Sequence, residues 1–174
     1  MAEVEVRSSG IEGKGVFAAR AFQPGERVLT ISYERVVESA DDVPADWADK
    51  WHWIDDAPDG RYVLMAEPER YINASCDPTA YTKYTEGRCD VIARRPLERG
   101  DEITTDYLIC THDEPGWTCA CGSDRCRGEN PRSFFDLPDA FQREYEPLLH
   151  DWFIAEHRPE YEAMCARLGI APRA

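Results

Sequence analysis

The spacing of hydrophobic residues divides the chain into two regions with different periods. From residue 3 to residue 110, short apolar stretches are separated by turn signals such as Gln23-Pro24-Gly25-Glu26, a pattern typical of β-strands. Glu86-Gly87 lies between two such stretches and predicts a β-hairpin. The predicted strands begin at Val4 and continue with Val16–Ala19, Val28–Val37, Arg61–Met65, Thr79–Thr85, Arg88–Ala93 and Ile103–Ile109.

The last forty or so residues change period and predict helices that pack against a core. Pro147 interrupts the pattern and predicts a kink or two short helices. Gly169 is expected to end the last helix. The two apolar stripes consist of Phe141, Tyr145, Leu148, Leu149 and Trp152, and of Tyr161, Met164, Cys165 and Leu168.

Length and composition limit the classes of protein that fit. The chain has 174 residues, 43% of them hydrophobic, which suits one domain, or one domain with an appended element, and excludes a fully disordered chain. The longest apolar runs are too short to cross a membrane. The first residues lack a secretory signal pattern. We therefore expect an intracellular protein without a membrane partner, cytoplasmic or associated with the nucleus or nucleoid.

The charge is strongly acidic and unevenly distributed. Twenty basic and 34 acidic residues give a net charge of −14, which argues against direct nucleic-acid binding and favours a basic partner. The segment 34–69 contains eleven acidic and three basic residues. A solvated acidic face is the simpler interpretation of this segment, and electrostatic guidance of a basic protein or peptide substrate is the other.

Three cysteines cluster near the end of the β region, in Cys119-Ala-Cys121-Gly-Ser-Asp-Arg-Cys126. In a chain without an export signal, this spacing favours a metal site over disulfides. Residues 111–133 contain too little apolar surface to fold unaided, and three thiols suit Zn²⁺, which takes four tetrahedral ligands in structural sites. The residues alone leave the fourth ligand open among Cys76, Cys89, Cys110, Cys165, His112 and the other histidines.

Four stretches in a fixed order resemble the SET domain of protein-lysine methyltransferases, in a compact form with a post-SET zinc segment. They cover about residues 5–130, and the ordered set is far more specific than any one stretch. The stretches are Gly13-Lys-Gly-Val-Phe-Ala18 with Pro24-Gly25-Glu26, Arg70-Tyr-Ile-Asn-Ala-Ser-Cys-Asp-Pro78, Ala93 to Asp106-Tyr107, and Cys119 to Cys126-Arg127-Gly128.

The resemblance implies a mainly β fold with α-helices, built from small curved sheets with a knot-like C-terminal threading. It divides the chain into a SET domain at 1–112, a post-SET zinc segment at 113–132 and a C-terminal helical extension at 133–174. It implies two cofactors, S-adenosyl-L-methionine (SAM) and Zn²⁺. It also names Cys76 as the fourth zinc ligand, together with Cys119, Cys121 and Cys126.

The implied activity is methyl transfer from SAM to the ε-amine of a lysine in a basic, histone-like or other nucleic-acid-associated protein. Tyr107 matches the family's catalytic tyrosine, whose hydroxyl orients the neutral amine in a dry channel. The implied cofactor contacts are Glu12, Lys14, Gly15, Trp51, Asn73, Ala74, Ala120 and Arg127. The implied substrate pocket consists of Ile31, Thr105 and Tyr107.

Three positions depart from the family pattern: Ala74 replaces a motif histidine, Thr105 an aromatic residue, and Ile31 a channel tyrosine. These changes favour a second hypothesis, in which a catalytically weak or inactive SET scaffold binds a basic partner through its acidic surface. A third hypothesis, a zinc-stapled redox or metal-handling protein, is disfavoured because the cysteine cluster has no Cys-x-x-Cys spacing.

Overall fold

A computed structural model describes residues 3–45, 54–56, 61–85 and 87–173 of the chain. Close contacts group the chain into two compact units. Unit 1 consists of Met1–Asn73 and Pro78–Thr105, and unit 2 of Ala74–Asp77 and Asp106–Ala174. Among the described residues, no helix has the length and apolar character that a membrane crossing requires.

Unit 1 is built from short strands in three small sheets, which confirms the predicted mainly β character. The sheets have the strand orders β1-β2-β10-β7, β3-β9-β8 and β4-β6-β5. Single helical turns lie at Ala40–Asp42 and Glu69–Tyr71. The strands are β1 Val4–Ser8, β2 Lys14–Ala18, β3 Arg27–Thr30, β4 Tyr33–Val37, β5 Ile54–Asp56, β6 Tyr62–Met65, β7 Asn73–Ala74, β8 Ala80–Thr85, β9 Arg88–Ala93 and β10 Glu102–Thr105.

Hairpins place the turns of unit 1 where the sequence predicted them. β8 and β9 pair antiparallel and end at Thr85 opposite Arg88, with Gly87 at a φ of 77°, which confirms the predicted hairpin. The single strand predicted over Val28–Val37 is wrong in one respect. It is two strands in different sheets. Ile31 N donates to Cys89 O of β9, whereas the next residue, Ser32, accepts at its carbonyl from Ala66 N, which directly follows β6.

The core of unit 1 lies where the inward-facing residues of these strands meet. Burying such aliphatic and aromatic side chains removes apolar surface from water, and each contributes about 1.5–3 kcal/mol relative to an exposed position. The buried residues are Val16, Ala18, Phe22, Val28, Ile72, Ala80, Val91, Ala93, Leu97 and Ile103.

Unit 2 contains a two-stranded ribbon and the C-terminal helices. β11 Trp117–Thr118 pairs with β12 Glu129–Asn130. The helices are α1 Asp139–Tyr145, α2 Asp151–Glu156 and α3 Arg158–Leu168, with single turns at Phe134–Asp136 and Glu146–Leu148. The predicted stripes form the core, which includes buried Tyr145, Phe153, Tyr161, Met164 and Leu168. As predicted, the helix breaks at Pro147 and Gly169 ends α3 in the left-handed region at a φ of 66°.

The predicted strand over Ile103–Ile109 is only half correct. β10 ends at Thr105, and residues 107–110 form a turn. Asp106 accepts a hydrogen bond from Leu108 N at 3.1 Å through its side chain, which favours a turn over an extended chain. Tyr107 therefore lies in a turn and not in a strand.

Candidate functional site

A hydrogen-bond network centred on Asn73 holds the loop between β1 and β2 in unit 1. The Asn73 amide nitrogen donates to Lys14 O at 3.0 Å, to Glu102 Oε1 at 2.9 Å and to Glu12 O at 3.3 Å. Ser9 donates to the same Glu102 oxygen at 2.7 Å. The structure thus brings together the predicted cofactor residues Glu12, Lys14 and Asn73, and the amide hydrogens of Asn73 serve to shape the loop.

Gly15 permits a close approach between β2 and the Glu102 side chain. A Cβ added at Gly15 would lie 2.9 Å from Glu102 Cδ and 3.1 Å from Ser9 Cβ. Real Cβ atoms essentially never approach within 3.0 Å. A larger residue would displace Glu102 and with it the acceptor of Asn73. A side chain at this position therefore fits only if the Glu102 side chain shifts.

The Lys14 side chain supplies a cation at the start of β2, where this loop ends. Its Nζ lies 4.8 Å from the centre of the Tyr71 ring, and the Tyr71 hydroxyl donates to Glu67 Oε1 at 2.8 Å. An ammonium over an aromatic face is attracted to it and restricted in position. A restrained cation beside backbone amides suits a carboxylate, such as the methionyl end of SAM.

The two substrate-side residues of unit 1 occupy strand ends. Ile31 directly follows β3 and is half-buried, and Thr105 is the half-buried last residue of β10. Thr104 is buried, and its side-chain Oγ1 accepts a hydrogen bond from Thr79 N at 3.2 Å. Because successive side chains of a strand face opposite sides, Thr105 points away from this contact.

The structure places four cysteine sulfurs of unit 2 in one cluster. The Sγ atoms of Cys76, Cys119, Cys121 and Cys126 all lie within 4.8 Å of one another. Cys76 and Cys119 sulfurs are 3.6 Å apart, close to the about 3.8 Å expected in a tetrahedral site with Zn–S bonds of about 2.3 Å. The donor set and its geometry fit Zn²⁺.

Backbone amides and a hydroxyl stabilise negative charge on these sulfurs. Cys76 N lies 3.5 Å from Cys121 Sγ, and Arg127 N lies 3.4 Å from Cys76 Sγ. Burial raises the pKa of the Cys76 and Cys119 thiols. At Cys121, burial opposes ionisation, but hydrogen bonds with Ser123 and the Cys76 amide lower the pKa to about 6. The Cys121 thiol thus loses its proton to a metal more readily than the Cys76 and Cys119 thiols do.

Arg127, predicted as a cofactor contact, forms a buried ion pair with Asp106. Its two terminal nitrogens donate to the two Asp106 oxygens at 2.7 and 2.9 Å, and its Nε donates to Asn130 Oδ1 at 2.8 Å. Only 6% of the Arg127 side chain and 2% of the Asp106 side chain are exposed. The guanidinium is therefore engaged within unit 2.

Tyr107 lies in the turn that follows Asp106. It is 46% exposed, and its carbonyl accepts a hydrogen bond from Thr111 Oγ1 at 2.6 Å. Its ring lies 6.4 Å from that of Trp117, centre to centre. Buried Leu108 fixes the next residue in the core of unit 2. The phenol thus projects from a backbone that is held on both sides.

The remaining predicted cofactor residues lie beside these networks in the chain or outside the described residues. Ala74 ends β7 and is half-buried, while Ala120 is exposed between two cysteines of the cluster. Trp51 lies outside the described residues. Ser9, Glu102 and Asp106 were not predicted as site residues. Glu102 and Asp106 lie within a recognised motif, and an acidic residue inside a β-pattern is the signal that could have marked them.

The family of the chain follows from comparison with known proteins. The profile of the SET domain matches residues 13–108, more than half of the chain. The chain belongs to the SET-domain family.

Named relatives of this SET-domain protein include histone-lysine N-methyltransferases. The trithorax histone-lysine N-methyltransferase of Drosophila virilis is 31% identical over 134 residues, covering 71% of this chain and 4% of that protein. Histone-lysine N-methyltransferase 2B of Homo sapiens is 30% identical over 139 residues, covering 71% of this chain and 5% of that protein. The chain therefore matches only a small part of these relatives.

A solved structure shows the same fold. The crystal structure of a Plasmodium falciparum protein assigned as a histone methyltransferase matches with a TM-score of 0.50 and 18% identity. The match covers 62% of this chain and 94% of that one. The SET-type fold class predicted from the sequence is confirmed.

Proposed function

We propose that this SET-domain protein transfers a methyl group from SAM to the ε-amine of a lysine in a basic protein. The observation that carries the proposal is Tyr107, an exposed phenol on a turn held by buried Asp106 and Leu108. Family membership and the named relatives support the same activity.

The loop between β1 and β2 is the proposed place for the methionyl end of SAM. Its backbone is held by Asn73 and Glu102, and Lys14 provides a cation for a carboxylate. When bound, SAM supplies an activated methyl group on a sulfonium. The protein contributes position and the exclusion of water, which together account for much of the rate in such transfers.

Tyr107 is proposed to orient the lysine amine. The amine must be neutral to attack, and desolvation lowers a lysine pKa because the charged form loses its hydration. The phenol oxygen of Tyr107 would accept a hydrogen bond from the neutral amine and aim its lone pair. Thr105 and Ile31 are proposed to line the substrate pocket, where Thr105 leaves more room than an aromatic residue.

The cysteine cluster is proposed to hold one structural Zn²⁺ per chain. Four thiolates complete the tetrahedral shell, so the site leaves no open position for catalysis. Its role would be to fold residues 111–133, which contain little apolar surface. Such a site needs reduced thiols, as found inside the cell, and we propose an intracellular location on that ground.

The substrate is proposed to be a basic protein. The net charge of −14 attracts lysine- and arginine-rich segments and repels nucleic acid. The relatives are named for histone lysines, which are basic substrates of this kind. We propose a histone-like protein or another basic protein that associates with nucleic acids.

Calorimetric titration with SAM and S-adenosylhomocysteine, followed by labelled methyl transfer to basic proteins, tests this function. We expect one-to-one binding of both compounds and label on lysine. Tyr107→Phe should lower kcat about 100-fold or more, while SAM affinity stays within about threefold, because the hydroxyl acts on the amine. Tyr81→Phe, on β8, is the matched control and should leave both unchanged.

Two results would contradict the proposal. One is a folded, zinc-loaded protein that binds neither compound, which would favour the hypothesis of a non-catalytic module that docks a basic partner. The other is full turnover in Tyr107→Phe, which would remove Tyr107 from the reaction.

A further inference from the structure

Asp106 and Arg127 form the most deeply buried ion pair among the described residues. Both side chains are at least nine-tenths buried, and the contact is bidentate, with distances of 2.7 and 2.9 Å. A planar guanidinium matches a carboxylate through two parallel hydrogen bonds, which fixes orientation as well as distance. Removing either charge leaves the other buried and uncompensated. The ion pair therefore holds the two side chains in one fixed arrangement.

The carboxylate end of the pair belongs to the turn that carries Tyr107. Asp106 Oδ1 accepts from Leu108 N at 3.1 Å, and Asp106 O accepts from Ile109 N at 3.1 Å. Tyr107 is the residue between two anchors, the buried carboxylate and the buried Leu108 side chain. A displacement of Asp106 must change the backbone direction at Tyr107.

The guanidinium end belongs to the cysteine cluster. Arg127 follows Cys126 directly, and its N–H donates to Cys76 Sγ at 3.4 Å. Its Nε donates to Asn130 Oδ1 at 2.8 Å, and Asn130 is itself buried. The backbone of Arg127 is thus held by the sulfur atoms that would bind Zn²⁺. Metal occupancy fixes the sulfurs and, through them, the base of the Arg127 side chain.

We propose that Arg127 and Asp106 are positioning residues that couple metal occupancy of the cysteine cluster to the conformation of the Tyr107 turn. The inference rests on the function proposed above and deepens it. It gives the zinc segment a part in orienting the phenol as well as in folding. Coupling between two sites is reciprocal, so a change at Asp106, which holds no metal, must also change metal affinity.

Arg125 provides a matched control from the same segment. It also grips a carboxylate through two nitrogens, Glu144 of α1 at 2.9 and 2.5 Å, and lies 3.6 Å from Asp77 Oδ1, but 37% of its side chain is exposed. Arg127→Lys and Arg125→Lys keep the charge and remove the planar two-point contact. Only the first substitution breaks the connection to the Tyr107 turn.

The experiment replaces Tyr107 with 3-fluorotyrosine and compares its ¹⁹F resonance in the zinc-loaded protein with the resonance after zinc is exchanged for the larger Cd²⁺, which keeps the four-thiolate site filled. With the arginines intact, we expect the exchange to shift the resonance. In Arg127→Lys the response should shrink to less than about half, and the zinc Kd from chelator competition should rise about tenfold, a typical coupling. Arg125→Lys should match the parent protein in both measurements.

Asp106→Asn tests the same connection from the other end and guards against misfolding of Arg127→Lys. The amide oxygen can still accept from Leu108 N, but the charge that holds Arg127 is lost. We expect weaker zinc binding and a kcat reduced about tenfold or more, with little change in KM for the substrate. Circular dichroism confirms that each variant retains its helices.

The outcomes separate this inference from the proposed function. A full ¹⁹F response to the exchange of Zn²⁺ for Cd²⁺ in both Arg127→Lys and Asp106→Asn overturns the coupling, whatever the activity. Intact coupling in a protein that transfers no methyl group supports the connection and counts against the proposed function alone.

Discussion

The loop network of unit 1 and the cysteine cluster of unit 2 hold their backbones by different means. In unit 1, Asn73 and Glu102 project from sheet strands whose backbone hydrogen bonds and apolar core already fix them. In unit 2, residues 117–130 contribute a two-stranded ribbon of two residues per strand and three sulfurs that cluster with that of Cys76. The first arrangement depends on close packing, and the second depends on a metal. The two regions should therefore lose their structure under different treatments.

Breaking the metal site should have the largest effect. Cys126→Ser, or zinc removal by a chelator, should lower the free energy of unfolding of unit 2 by at least about 4 kcal/mol, the contribution of a ligand present at 1,000 times its Kd. Hydrogen exchange should show lost protection around β11 and β12 and retained protection in β8 and β9.

The matched control is Cys89→Ser, at a buried cysteine of β9 outside the cluster. Cys89→Ser should leave the zinc stoichiometry at one per chain and change hydrogen-exchange protection only in unit 1. A chelated protein that keeps protection throughout unit 2 would show that the segment folds without metal.

Breaking the packing in unit 1 should have an intermediate effect. In Gly15→Ala the new methyl group would displace Glu102 and remove the acceptor that positions Asn73. Overpacking of this kind costs about 1–3 kcal/mol, and SAM affinity should fall about tenfold. Gly10→Ala is the control, since no atom lies within 4 Å of its added Cβ. Equal behaviour of the two variants in unfolding and SAM titration would rule out the packing argument.

Protonation of His157 should have the smallest effect on the free energy of unfolding, and this effect should be confined to unit 2. Burial lowers the pKa of His157, and the neighbouring His112 ring, 4.4 Å away, lowers it further, whereas Glu156 and Glu160 oppose the change. The folded state binds this proton more weakly than the unfolded state. The contribution of neutral His157 to the free energy of unfolding is therefore present at pH values above the unfolded-state pKa of about 6.5. It is lost as the pH falls below that pKa.

Urea unfolding from about pH 7.5 to about pH 5.5 should therefore show falling stability, and His157→Gln should reduce the slope. The comparison of the two proteins separates this effect from protonation of the cysteine cluster, which is common to both. Identical slopes would assign the whole pH dependence to other groups.

Much of the local structure could be predicted because it follows from neighbouring residues. Alternation and turn residues predicted the β8–β9 hairpin, and the helical period predicted α1 and α3 with a break at Pro147. The exact end of β10 could not be predicted, since the apolar alternation continues past Thr105. The competing side-chain hydrogen bond from Asp106 decided it.

The candidate site was predictable in its chemistry and much less so in its contacts. The spacing of Cys119, Cys121 and Cys126 indicated a metal by itself, but the residues alone left the fourth ligand open. The structure gathers Cys76 with them. Arg127 was assigned to the cofactor on resemblance, which stays a prediction, and its ion pair with Asp106 is a contact that the sequence did not indicate.

The sequence by itself determined the strand and helix periods, the metal-type cysteine spacing, the acidic charge and the ordered family motifs. Each is a property of residues close together in the chain or of composition. Tertiary structure alone decided which acceptors Asn73 uses, which carboxylate holds Arg127 and which side chain lies against Gly15. Those contacts join residues 21 to 87 positions apart, and only folding sets the distance between their atoms.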